Sequence, residues 1–225
     1  IDHWHEHADA VLLQVVQNNG LHTPRDPSCM FRPEDRPELE RVMADLQRRF
    51  LRLIAVGLGC SEELFEEMTL EAPTLTRALR YPPMEASPGE GHVWAAAHAD
   101  INLITALPRA TAPGLQVEVE GRWLPASPPP GHVVINSGLM LERLSNGMIP
   151  AGWHRVVAPE GVQDERYSVV QFCHARSSTI LAPLPSCCTP EHPQRFSAIS
   201  AADALEEVLY RINLLESSEG SGSAA

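Results

Sequence analysis

The sequence has no apolar run near the roughly 20 residues that a membrane-spanning helix requires; the segment Leu51 to Leu58 is far too short. It is also short of positive charge, with 17 Lys and Arg against 29 Asp and Glu and a formal net charge of −12 at pH 7. Nucleic-acid binding needs clustered Lys and Arg against phosphates, so this balance argues against that class and against attraction to anionic membrane surfaces. There is no CxxC, no internal repeat and no signal-peptide pattern. The five cysteines, Cys29, Cys60, Cys173, Cys187 and Cys188, are odd in number and irregularly spaced. That argues against a disulfide framework or a structural zinc site and for reduced thiols in a cytoplasmic protein. The chain opens on Ile1 rather than Met, so a preceding segment is expected to be missing, and any targeting signal with it.

What is present suffices for one domain with a sizeable core in 225 residues. Residues 1–34 are polar and broken by Pro24, Pro27 and Pro33, and read as loop with a short element at Ala10 to Gln17. Asp35-Arg36-Pro37-Glu38 starts a helix, with proline in the first turn and acids at the positive end of the dipole. Leu39, Val42, Met43, Leu46, Phe50, Leu53, Ile54 and Gly57 follow at helical spacing, the Gly57/Gly59 pair ends the run, and a short helix follows Ser61. From about Thr74, β-rich runs alternate with Gly/Pro-rich turns: Leu75–Tyr81, Trp94–Leu107, Leu115–Val119, His132–Asn136, Trp153–Val157, Tyr167–His174 and Thr179–Leu181. This cadence predicts a β-sandwich or barrel. Ser200 to Leu215 reads as a C-terminal helix with Ser200 and Asp203 as its capping box, and 217–225 as a disordered tail. The organisation expected is a single globular unit in three parts: loop and supporting helices over 1–73, a β core over 74–185, and a helix and tail over 186–225.

The chemistry is carried by Ala97-His98-Ala99-Asp100-Ile101-Asn102-Leu103. Side chains two apart on a strand share a face, so His98 and Asp100 project together, with Ala97, Ala99, Ile101 and Leu103 on the other side. A second histidine, His154, lies in another β-rich run, and a sandwich can bring the two strands together. Two imidazoles and one carboxylate suit non-haem Fe(II) and leave three adjacent positions open. A bidentate 2-oxoacid can take two of them and O2 the third. Twelve residues beyond His154, Arg166 and Ser168 share a face. They offer a planar guanidinium fork and a hydroxyl to a carboxylate, such as the far end of 2-oxoglutarate, and the Tyr81 phenol can reach the same group. Each piece alone is compatible with half-buried polar residues or with a surface ion pair to Glu165 or Asp164; their order along the chain is what makes them specific.

That ordered set resembles the isopenicillin N synthase-like group of Fe(II)/2-oxoglutarate-dependent dioxygenases. It runs from Val56-Gly57-Leu58-Gly59 and Leu64-Phe65 through Arg80-Tyr81-Pro82, His98/Asp100, Gly114-Leu115-Gln116-Val117 and Gly121-Arg122-Trp123-Leu124-Pro125. It continues through Val134-Ile135-Asn136-Ser137-Gly138, Leu141-Glu142-Arg143-Leu144-Ser145-Asn146-Gly147 and His154-Arg155-Val156 to Arg166-x-Ser168. The resemblance covers about two thirds of the chain. It implies a mainly β fold with supporting α-helices and a double-stranded β-helix (jelly-roll) core. His98, Asp100 and His154 would be iron ligands, Arg166 and Ser168 co-substrate anchors, Tyr81 a helper, and Asn102 a pocket-lining residue. The function implied is oxidation, most often hydroxylation, of a small-molecule substrate with release of succinate and CO2. The alternatives are a 2-oxoglutarate-independent oxidase and a non-catalytic jelly-roll binding protein. Members of the group carry a longer N-terminal part than this chain shows, and neither substrate nor oligomeric state is expressed in the motifs.

Other clusters carry less. His3, His5 and His7 read as a solvated start, His174 as surplus to a complete triad, Cys187-Cys188 as a Pro-rich loop, the methionines as core filler, and Trp94 and Trp123 as buried packing.

Overall fold

The computed structural model describes residues 36–83, 93–158 and 165–211. The short element at Ala10 to Gln17, the histidines near residue 1 and the tail beyond 211 lie outside them. The chain begins with helix α1 (Arg36–Gly57) and helix α2 (Leu64–Thr69). Eight strands follow: β1 (Thr74–Tyr81), β2 (Ala95–His98), β3 (Ile104–Pro108), β4 (Leu115–Val119), β5 (Arg122–Pro125), β6 (Val133–Ser137), β7 (His154–Val156) and β8 (Arg166–Cys173). Helix α3 (Leu139–Leu144) sits between β6 and β7, and a two-stranded pair, β9 (Ile180–Leu181) and β10 (Ile199–Ser200), leads into helix α4 (Ala201–Arg211).

The strands form two four-stranded sheets in the orders β1-β8-β3-β6 and β2-β7-β4-β5, and every pairing is antiparallel. Consecutive strands alternate between sheets at β1/β2, β2/β3, β3/β4, β5/β6, β6/β7 and β7/β8, which is the jelly-roll winding expected from the sequence. The β1–β8 register sets Tyr81 opposite Arg166, Leu79 opposite Ser168, Arg77 opposite Val170 and Leu75 opposite Phe172. These residues share one face because side chains alternate along both strands.

Helix α1 covers the other face of the first sheet. Its buried stripe is Met43, Gln47, Leu51 and Ala55, continued by Leu58 just past its end, whereas Val42, Phe50 and Leu53 from the expected apolar stripe are exposed. Gln47 enters the core because its Nε2 donates to the carbonyls of Gln171 (2.8 Å) and Ile104 (3.4 Å), so the polar group is satisfied inside the protein. The main apolar cluster joins α1 and α2 through Leu51 and Phe65 to Leu103, Ile104, Leu141, Leu144, Leu181 and Ala201. At α4, Ser200 Oγ accepts from the Asp203 amide (3.0 Å) and donates to its carboxylate (2.7 Å), so the expected cap forms.

One expected strand is broken. The run Trp94–Leu107 divides into β2 and β3, and residues 99–103 cross from one sheet to the other. There the carbonyls of Asp100, Ile101 and Asn102 accept from the amides of Leu139 and Met140 at the start of α3. Gly138 permits this approach, since a Cβ on it would lie 2.0 Å from the Asn102 carbonyl oxygen.

Candidate metal centre

His98 and His154 are directly opposed partners across the β2–β7 ladder, and their ring centroids lie 4.2 Å apart. Asp100 reaches them from the crossover two residues beyond β2, not by strand alternation as the sequence suggested. Its Oδ1 stands 4.0 Å from His98 Nε2 and 3.9 Å from His154 Nε2, and one ligand atom from each of the three residues falls within 4.8 Å of the other two.

The outer atoms of all three groups are held by the protein. The Ala96 carbonyl accepts from His98 Nδ1 at 2.7 Å and the Gly152 carbonyl from His154 Nδ1 at 3.0 Å. A carbonyl can only accept, so each ring donates through Nδ1 and turns its Nε2 inward, where the neutral form presents a lone pair. Thr105 Oγ1 donates to Asp100 Oδ2 at 2.6 Å, and Asn136 Nδ2 adds a longer bond at 3.3 Å. Oδ1 is thereby left facing the two imidazoles. Burial lowers the pKa of His154 more than the neighbouring Asp100 raises it, which favours the neutral ring that a metal ligand requires. The side chains of Asp100 and His154 are 7% and 8% exposed and that of His98 is 48% exposed, so the cluster opens on the His98 side.

The same cavity, about 240 Å³, contains Tyr81, Arg166 and Ser168. Arg166 is buried; its Nε donates to the Ala112 carbonyl at 3.1 Å, and its wholly buried Nη1 has no partner. Burial pulls its pKa down, and the Tyr81 phenol alongside opposes that shift; the Tyr81 ring centroid is 4.9 Å from the guanidinium carbon. Tyr81 is shifted up by burial, with Arg166 and Arg77 opposing. The surface pairing of Arg166 with Glu165 does not occur, because Glu165 points to the other face and bonds Arg80 and Tyr167. A second cavity of about 190 Å³ shares Leu107, Leu115, Arg166 and Ser168 as walls, but neither His98 nor His154 lines it.

Asn102 departs from expectation. It is fully buried, does not line the cavity, and donates to Thr105 Oγ1 (2.9 Å) and the Ile104 carbonyl (3.0 Å). The chain has left the strand by residue 102, so face parity with Asp100 no longer holds. Thr105, Asn136 and Gly152 are the supports that sequence reading passed over. Thr105 follows Asp100 by five residues and Asn136 by 36, spacings with no periodic signature. Trp94 lines the cavity, where its Nε1 donates to the Pro82 carbonyl (2.9 Å) and its ring lies 5.7 Å from that of Tyr81. Trp123 instead stacks under Arg155, 4.4 Å from the guanidinium carbon.

A jelly roll holding two inward imidazoles, one oriented carboxylate and a buried arginine defines a mononuclear, open-sided metal-site architecture. Comparison with known proteins gives the family. The 2OG-Fe(II) oxygenase superfamily model matches residues 73–175. Gibberellin 20 oxidase 2 of Oryza sativa is 32% identical over 158 residues, covering 69% of this chain and 39% of the relative. An oxygenase structure from Shewanella oneidensis is 32% identical with a TM-score of 0.62, covering 85% of this chain and 68% of that one. A dioxygenase for auxin oxidation from Arabidopsis thaliana, solved with 2-oxoglutarate, is 26% identical with a TM-score of 0.59, over 67% and 55% of the two chains. The chain belongs to the Fe(II)/2-oxoglutarate-dependent oxygenase superfamily. It spans about two fifths of the length of the gibberellin oxidase. Among the described residues, no helix is long and apolar enough to cross a membrane.

Proposed function

We propose that the protein is a 2-oxoglutarate-dependent oxygenase that hydroxylates a small organic molecule, with His98, Asp100 and His154 holding Fe(II) and Arg166, Ser168 and Tyr81 holding the far carboxylate of 2-oxoglutarate. The reading rests above all on the buried Arg166 nitrogen that lacks a partner in the cavity of the triad. A buried cation without an anion is costly, so the site is built for a carboxylate. The donor set fits the metal: two imidazole nitrogens and one carboxylate oxygen converge, and among the described residues no hydrogen bond from another residue takes up these three atoms.

When bound, Fe(II) supplies the redox chemistry by which O2 and 2-oxoglutarate convert a substrate C–H into C–OH, giving succinate and CO2. The chain's own contribution is position and exclusion of water. Thr105 and Asn136 fix the Asp100 carboxylate, and the Ala96 and Gly152 carbonyls fix the two rings. Arg166 and Ser168, opposite Tyr81 and Leu79 on the first sheet, set the co-substrate's direction before substrate enters from the open His98 side. Leu79, Leu107, Leu115, Val156 and Val170 keep the walls apolar. A cytoplasmic setting agrees with Cys60, Cys173, Cys187 and Cys188 all being free thiols.

The test is anaerobic titration with Fe(II) and then 2-oxoglutarate, followed by oxygen admission and assay of succinate. Expected are one metal per chain, 2-oxoglutarate binding that Arg166→Gln abolishes, and slow succinate release even without substrate. Oxygen uptake that ignores 2-oxoglutarate would identify the oxidase alternative, and absence of metal binding would leave only a binding protein.

A further inference from the structure

We propose that the substrate is a small organic acid with an apolar or aromatic body, and that Arg77 on β1 receives its carboxylate. This rests on the reading of the site given above. Arg77 lines the triad cavity together with Leu79, Val170 and Phe172, and the β1–β8 register puts it on the same inner face as Arg166. It lies four positions from Tyr81, the partner opposite Arg166, so the two arginine backbones lie about 13 Å apart along the strands at about 3.3 Å per residue. Arg166 is buried and Arg77 is exposed, so the two guanidinium groups meet the cavity at different depths.

Charge decides what the second one is for. The ionisable groups lining the cavity are Arg77, Tyr81, His98, Asp100, His154 and Arg166. With neutral imidazoles and phenol, a metal dication, the Asp100 carboxylate, a dianionic 2-oxoglutarate and Arg166 sum to zero. Arg77 is then the remaining positive charge in the loaded cavity. No carboxylate among the described residues forms an ion pair with it; its neighbours include the Phe172 ring, with the centroid 5.9 Å from the guanidinium carbon, and the Tyr81 phenol. A cation above an aromatic face keeps its N–H edges free for a carboxylate. The same ring, with Leu79, Val170 and Trp94, gives the acid's body an apolar surface in the cavity that also holds the metal cluster. Arg77 is exposed, whereas Arg166, which holds the co-substrate, is buried. On a chain of net charge −12, such a local cation offsets the repulsion that a second anion would meet.

The experiment uses the full chain loaded anaerobically with Fe(II) and 2-oxoglutarate. The probes are benzoate, phenylacetate, 3-phenylpropanoate and cyclohexylacetate, each paired with its neutral primary amide, with affinities read by calorimetry. At least one acid should bind about tenfold more tightly than its amide. Arg77→Gln should erase that preference while leaving amide and 2-oxoglutarate affinities unchanged, and Arg77→Lys should restore part of it. The proposal is overturned if no acid outbinds its amide, if Arg77→Gln keeps the preference, or if that variant loses 2-oxoglutarate instead. Failure of the wild type to bind 2-oxoglutarate sinks the underlying reading separately, because the acid–amide comparison with and without Arg77 is still read on the metal-free protein.

Discussion

Replacing Thr105 with valine keeps the side-chain shape and removes one hydroxyl. That hydroxyl donates to Asp100 Oδ2 at 2.6 Å and accepts from Asn102 Nδ2 at 2.9 Å. Asn102 retains its bond to the Ile104 carbonyl, so the larger loss falls on the carboxylate. A hydrogen bond to a buried charge contributes about 1.5–3 kcal/mol, and Asn136 at 3.3 Å recovers only a fraction of it. Metal-free Thr105→Val should therefore lose about 2 kcal/mol of unfolding free energy, read as a lower denaturant midpoint with an unchanged slope. Metal binding should suffer too, because the freed carboxylate can turn its Oδ1 away from the histidines. Loss of such an outer support weakens metal affinity by about 10- to 100-fold. Thr105→Ser keeps the donor and should stay near wild type in both assays. The reasoning fails if Thr105→Val binds Fe(II) as tightly as wild type in anaerobic titration, since Thr105 would then not orient Asp100.

Arg166→Met should stabilise the metal-free protein by about 1–2 kcal/mol, because it removes a buried cation with an unpartnered nitrogen, while abolishing 2-oxoglutarate binding; thermal melting and calorimetry read the two effects, and a destabilised variant would contradict the burial argument. Asn102→Ala should cost about 1–3 kcal/mol of stability through two lost internal bonds and leave the 2-oxoglutarate dissociation constant within about twofold of wild type; a selective loss of co-substrate affinity would return Asn102 to the pocket. Glu165 carries a pKa lowered by its bond to Arg80 and then by Tyr167. Its folded value lies below its unfolded one, so its contribution is present above the unfolded value near 4.5 and disappears as pH falls through the folded value. Glu165→Gln should accordingly be less stable than wild type at pH 7, with the difference shrinking as pH falls below 4.5, in urea titrations across that range.

The sequence by itself determined which chemistry is available and which faces meet. Alternation is local, and it put Arg166 and Ser168 on one face before any pairing was known, while the β1–β8 register added Tyr81, Leu79 and Arg77 to that face. The Ser200/Asp203 cap was legible for the same reason, since its partners are three residues apart. The two histidines and the aspartate were legible as residue types with a fitting ligand set. Tertiary structure alone decided how Asp100 reaches them. The run from Trp94 to Leu107 continues its pattern through residues 99–103, and only the long-range contacts with α3 break it there. Periodicity reports a side chain's direction along one element. It carries no information on where that element stops to meet another, so Thr105 and Asn136 around Asp100, Gln47 beneath the sheet and the inward turn of Asn102 emerged only once distant segments had packed.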